Sequence, residues 1–219
     1  MSLFPWDDQE LLPGRTRILR APLTEPIPAN LNDVIDLESP YDPAGTWEDF
    51  GAAREGASYS RGIETDGYEI EQVSGLIFED VSEVTRALSF SIAEIKPEHL
   101  QIIEEGQDPT TIAAGAGTSA QKVVAFGNIT DLTRYRFAFI AQRSTLSGEV
   151  TEADASTRGR LVAGILLSAN LSADDVEIPL EKGSLAHASV TFNGFPVSSQ
   201  PDGEETGLWI TEDVSTITA

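Results

Sequence analysis

Cysteine is absent from this 219-residue sequence, methionine occurs once, and Lys and Arg together number 14 against 36 Asp and Glu. Each shortage removes a class of function. Without cysteine there is no disulfide scaffold, no thiolate metal site and no thiol nucleophile. A formal net charge of -22 argues against binding duplex nucleic acid by phosphate neutralisation, which draws on clustered Lys and Arg. Long apolar runs are missing as well. The longest, Leu161 to Leu167, has seven residues, against the roughly 20 a helix needs to span a bilayer. The opening MSLFPWDDQE is acidic and contains proline, without the basic start and apolar core of a secretion signal. The expectation is a chain kept in a reducing cytoplasm, with no membrane partner.

What is present is enough for a core. Hydrophobic residues make up 40% of the chain, more than a wholly disordered sequence carries. The length fits one domain with an elaboration, or two very small domains. The charge is unevenly spread: residues 1–60 carry 11 acids and 4 bases, 61–110 carry 12 and 3, 111–170 carry 4 and 6, and 171–219 carry 9 and 1. One mildly basic stretch therefore sits between strongly acidic ones. Such a pattern serves as a solvated, solubilising surface. It also serves self-complementarity, the basic stretch of one copy facing an acidic stretch of the next.

Residues 1–60 hold seven of the twelve prolines. Proline removes backbone donors and restricts the residue before it, so neither a long helix nor a central strand is expected there. The stretch keeps more Leu, Ile, Val and Trp than a linker needs. It reads as an extended Pro-rich N-terminal arm over 1–60, lying against something apolar, followed by a domain over 61–219.

Beyond Gly62 the texture is that of strands. Tyr68, Ile70 and Gln72 alternate with Glu69, Glu71 and Val73, the period of two that puts alternate side chains on opposite faces. Leu76 to Val81, Leu88 to Ile92, Tyr135 to Phe139, Leu161 to Leu167 and Val190 to Phe192 read the same way, rich in aromatic and β-branched residues. One segment differs. Lys96 to Gly106 predicts a short helix, with Pro97 in the first turn, Glu98 near the positive end and Gly106 at the stop. Residues 107–121 and 144–158 read as polar or Gly-rich loops. The fold class is mainly β.

Catalytic constellations are hard to find. His99 and His187 are the only histidines, and no G-x-S-x-G elbow positions a serine. The run Gly115 to Ser119 lacks the Lys that should follow a phosphate-binding loop directly; Lys122 comes too late. Paired carboxylates, from Asp7-Asp8 to Glu212-Asp213, are too numerous to single one out, and no calcium-loop pattern exists. No catalytic residue, cofactor or metal site is expected. Glu69 and Glu71 share one strand face, either open to solvent or forming the negative wall of an enclosed channel.

In order, the segments Gly45 to Gly56 (GTWEDFGAAREG), Tyr68 to Gly75 (YEIEQVSG), Arg86 to Ile95 (RALSFSIAEI), Lys96 to Gly106 and His187 to Val197 (HASVTFNGFPV) form a pattern. It resembles the major tail tube proteins of long-tailed bacterial viruses with non-contractile tails. The Pro-rich Leu12 to Leu23 (LPGRTRILRAPL) is similar to tail subunits from viruses of actinobacterial-type hosts. The resemblance implies a β-sandwich with one flanking helix, six copies forming a ring-shaped β-barrel, and rings stacking into the tail tube of the virion. It implies partners: further copies of the chain, and the tape measure, tail terminator and distal tail proteins. It implies assembly in the host cytoplasm and DNA passing without specific binding. By strand position, Glu69 and Glu71 are expected to face the lumen. The basic middle, with Arg134, Arg136, Arg143, Arg158 and Arg160, is where contacts between copies are expected. Another ring protein of the tail or head, or a carbohydrate-binding β-sandwich, is the alternative.

Overall fold

The computed structural model describes residues 16–37, 42–70, 73–92, 96–115, 119–142, 161–172, 176, 178 and 187–212, with backbone alone for 51–56, 68–70, 73–78 and 142. Nine strands and one α-helix occur among them: β1 Thr16–Pro22, β2 Glu48–Ile70, β3 Val73–Ile92, α1 Pro97–Ile103, β4 Thr110–Ile112, β5 Gln121–Val123, β6 Tyr135–Gln142, β7 Leu161–Leu171, β8 Ala188–Gly194 and β9 Gly207–Thr211, with a 3-10 turn at Leu31–Asp33. The class is mainly β, as the alternating patterns predict.

Seven strands form one antiparallel sheet in the order β6-β1-β2-β3-β8-β7-β9, and β6 pairs with β7 as well. The sheet thus rolls back on itself. Along one edge β7 meets β6 from Leu161 to Ala169. Its other pairings are shared between β9, at Val162 to Leu166, and β8, at Ala169 to Leu171. That last seam is only three residue pairs long, so the roll is split at one end and is not a closed barrel.

Two apolar clusters lie on the two sides of the sheet. Inside the roll, Phe50, Phe90, Phe137 and Phe192 meet with Ile18, Leu88, Ile92 and Leu166, and α1 adds Ile102 and Ile103. Phe50 makes edge contacts with Phe90, Phe137 and Phe192 at centroid distances of 5.6 to 5.9 Å, the geometry in which ring edges meet negative ring faces. On the outer side Leu19, Ala138, Ile140, Ala163, Ile165 and Leu167 pack under Leu31, Val34, Ile35 and Trp47. Strand alternation makes this possible: in β1, Ile18 points in and Leu19 out; in β6, Phe137 and Phe139 point in and Ala138 and Ile140 out. All eleven residues of β7 are buried, because that strand has a core on each face.

This placement answers the expectation for the N-terminal stretch. Its described part lies on the chain's own sheet: β1 is an inner strand between β6 and β2, and Leu31, Val34, Ile35 and Trp47, from the described segments 23–37 and 42–47, pack on the outer cluster. Residues 1–15 lie outside the described residues. The expected division at residue 60 falls within β2, and the two expected strands 76–81 and 88–92 are parts of the single strand β3. The expected loop 107–121 holds β4, which pairs with β5 as a separate small ribbon.

Candidate functional site

The feature that most distinguishes this molecule is the hairpin of β2 and β3. The two strands pair from Ala53↔Ile92 out to Ile70↔Val73. Only the root of the hairpin belongs to the body: β1 pairs with β2 no further than Ala52, and β8 with β3 no further than Ala87. From Val73 to Arg86, a reach of about 45 Å at about 3.3 Å per residue, no described strand flanks the hairpin. Its described side chains from Ser60 to Thr85 are all exposed. Both long edges offer unpaired backbone donors and acceptors, the template onto which another strand adds.

The two faces of the hairpin differ sharply. Paired residues share a face, so Ser58 and Ser89, Ser60 and Ala87, Gly62 and Thr85, Glu64 and Glu83, and Asp66 and Asp80 line one side. In β8 the same side continues through Ser189, Thr191 and Asn193. Near the body it is a hydroxyl ladder, with Ser89 to Thr191 and Ser91 to Ser189 both at 2.9 Å. Towards the tip it is carboxylate. Among these described side chains there is no Lys or Arg. The opposite face carries Arg61 and Arg86, then Ile63, Val84, Thr65 and Val81, then Glu79, which accepts from the Thr65 hydroxyl, with Ile63, Val84 and Val81 48%, 42% and 54% exposed.

Directly opposed like charges in a sheet are destabilising. Glu64↔Glu83 and Asp66↔Asp80 therefore weaken the isolated hairpin; their arrangement concentrates negative potential at the cost of local stability. A protein selected for monomer stability alone would alternate the signs.

The residues expected from sequence are placed as follows. Glu69 lies in β2 near the tip and pairs through its backbone with Leu76; its side chain and the whole of Glu71 are outside the described set. Arg134 stacks over the Phe195 ring at 4.7 Å. Arg136 is buried, and its Nε donates to the Leu167 carbonyl at 3.2 Å; desolvation pulls its pKa down, opposed by the charge of Glu25. The Arg136 side chain is thus held inside this subunit. Arg143, Arg158 and Arg160 lie outside the described residues. The described carboxylates that share the hydroxyl-bearing face of the hairpin are Glu64, Asp66, Asp80 and Glu83, a set separate from the Glu69 and Glu71 singled out from sequence. The opposition of these four depends on the hairpin register and on the bulge between Glu64 and Thr65, which no single-strand pattern displays.

Other candidates resolve into packing. His99 is buried against Phe50, with ring centroids 5.0 Å apart, and its Nδ1 accepts from the Lys96 N–H at 3.4 Å. Glu98 pairs with Lys122 across to β5, which holds its carboxyl below the ordinary range. Glu105 and Glu212 accept backbone bonds from Thr133 and Leu161. Tyr135 is raised by burial, against the pull of Arg20. Among the described residues no three His, Asp or Glu side chains gather as a metal site, and no helix is long and apolar enough to cross a membrane. Ile112, Val123, Phe126 and Ile129 are each exposed as well, Phe126 to 70%. The arrangement offers bare edges, an acidic wall and exposed apolar side chains. No family profile matches the sequence, and no curated protein is significantly similar to it.

Proposed function

We propose that this protein is a structural subunit that assembles with copies of itself into stacked rings, six to a ring by family likeness, forming the tail tube of a long-tailed bacterial virus. The observation that carries the reading is the projecting hairpin, with two unpaired edges and one face made of hydroxyls, small residues and carboxylates. Edge-to-edge addition of such hairpins from successive copies would close a sheet around a lumen and remove the exposed edges. Turning the acidic face inward lines the lumen with negative charge, which repels phosphate and lets DNA pass without sticking. The apolar face, with Ile63, Val81 and Val84, is then covered by the rest of the ring. In this reading the β-sandwich and barrel of the family are properties of the assembly, and the partners are further copies and the proteins at the two ends of the tail.

Electrostatics supplies the test. Six copies with a charge of -22 each carry -132, a repulsion that assembly must overcome. Raised salt shortens the Debye length to about 3 Å at 1 M, and mild acid, closer to the sequence pI of about 4.2, lowers the net negative charge of every copy. Purified protein is therefore expected to form tubes under the electron microscope at high salt or near pH 5, and to stay dispersed at low salt and neutral pH. Tubes that form only at low salt would sink the proposal.

A further inference from the structure

Where the hairpin leaves the body, the end of the roll opens into a cavity of about 340 Å³ lined by Tyr59, Arg61, Arg86, Phe139, Ile165 and Trp209, among others. Three of these form an aromatic wall. Tyr59 stacks on Phe139 at 5.7 Å, and Trp209 stands edge-on to both at 5.4 and 5.0 Å. The backbone of Gly164 seats the Phe139 ring, and any side chain there would collide with it. Trp209 is nonetheless 53% exposed.

The two arginines are the anomaly. Arg61 and Arg86 are directly opposite each other across the hairpin, an arrangement that repels and destabilises. The chain has 36 acidic residues, yet among the described residues no carboxylate makes an ion pair with either guanidinium. By contrast Arg17 and Arg20, on the neighbouring strand, are answered by Asp49 at 2.8 Å and Glu48 at 2.9 Å. Two guanidinium forks beside an aromatic wall are chemistry suited to carboxylates, through bidentate hydrogen bonds, and to apolar or ring-bearing stems.

We infer that this cavity is a docking socket for an acidic segment of a second copy of the same chain. Charge complementarity decides the occupant: every copy is rich in carboxylates, and the socket adjoins the bare edges on which a neighbour would add. The inference rests on the self-assembly proposed above and locates one of its contacts. It also reconciles attraction with the overall repulsion. Screening by salt acts first on charges separated by more than a Debye length, and much less on a partly enclosed pair. Moderate salt therefore suppresses the repulsion between whole subunits while leaving the socket effective.

The experiment compares the wild-type protein with an R61S/R86S variant at the salt concentration where wild type is half assembled, by sedimentation velocity, with Trp209 fluorescence as a local probe. Removing a repelling pair should leave the melting midpoint of the dispersed subunit equal or higher, so a folding defect cannot mimic the result. The concentration needed for half-assembly is expected to rise at least about tenfold, as loss of close interfacial charge pairs implies. A blue shift of the tryptophan emission is expected when wild type assembles, and it should be smaller in the variant at any given concentration. If wild type assembles and the variant assembles equally well, the socket is refuted and the tube proposal stands. If wild type fails to assemble at any salt or pH, the tube proposal and the socket fall together. Quenching of Trp209 in dispersed wild type by a single-stranded oligonucleotide, lost in the variant, would assign the arginines to nucleic acid and overturn the inference.

Discussion

Replacing Phe50 by alanine is expected to lower the melting midpoint by about 6–20 °C. The ring is fully buried and touches Phe90, Phe137, Phe192 and His99 at once. Truncating a buried Phe costs about 3–5 kcal/mol, since lost transfer energy adds to the cavity left behind. In a chain of this size each kcal/mol moves the midpoint by about 2–4 °C. Phe50 is more than a filler: it joins β2 to β3, β6 and β8 and seats α1 through His99. Phe50→Leu retains most of the volume and should recover over half of the loss. A calorimetric scan of both variants measures this. A shift below about 3 °C for the alanine variant would mean that the four-ring cluster does not hold the roll together.

Shortening the hairpin is expected to separate folding from assembly. Joining Gly62 to Thr85, which already face each other, through an Asn-Gly turn keeps the strand register and suits a two-residue connection. The described residues removed pair only with each other, and their described side chains are exposed. The body should therefore melt within about 5 °C of wild type, since shortening a connection changes chain entropy only slowly. Assembly should be abolished at every salt concentration, because the bare edges and the acidic wall are gone. The shortened protein would remain a monomer in sedimentation. Tubes from the shortened chain would move the assembly surface elsewhere, first to the exposed Phe126 and Ile129.

Much of this architecture could be read from local pattern. The alternation in Leu88 to Ile92 and in Val190 to Phe192 marked strands because each has one buried face, while Tyr135 to Phe139, buried on both faces, was marked by its aromatic residues. Pro97, Glu98 and Gly106 bracketed the helix because capping and dipole effects are local. What escaped was whatever depends on partners distant in sequence. Strand β1, TRILRAP, is flanked by prolines and has arginines at every third position. Its place inside the sheet comes from pairing with β6 some 120 residues away. Arg136 looked like a surface cation because its neighbours alternate apolar and polar. It is buried on the face of β6 shared with Ala138, over which Leu31, Val34, Ile35 and Trp47 pack. Arg61 and Arg86 were hidden inside the most acidic segment, where a segment total averages away two bases that the hairpin brings together.

The order of the strands also imposes an order in time. β2 and β3 are consecutive, so their hairpin needs no contact beyond residue 92. β1 must wait for β6, and the double burial of β7 is complete only when β9 has been made. Local pairings form fast and distant ones slowly, because the entropy of closing long loops has to be met first. On an emerging chain the hairpin is thus available before the body that anchors it, and pulse-labelled exchange during refolding should protect β2 and β3 amides ahead of β1. The late strands then act as a timer. Tyr59, Arg61 and Arg86 are in position early, but Trp209, the last part of the proposed socket, arrives with β9, so that cavity is complete only once β9 has been made.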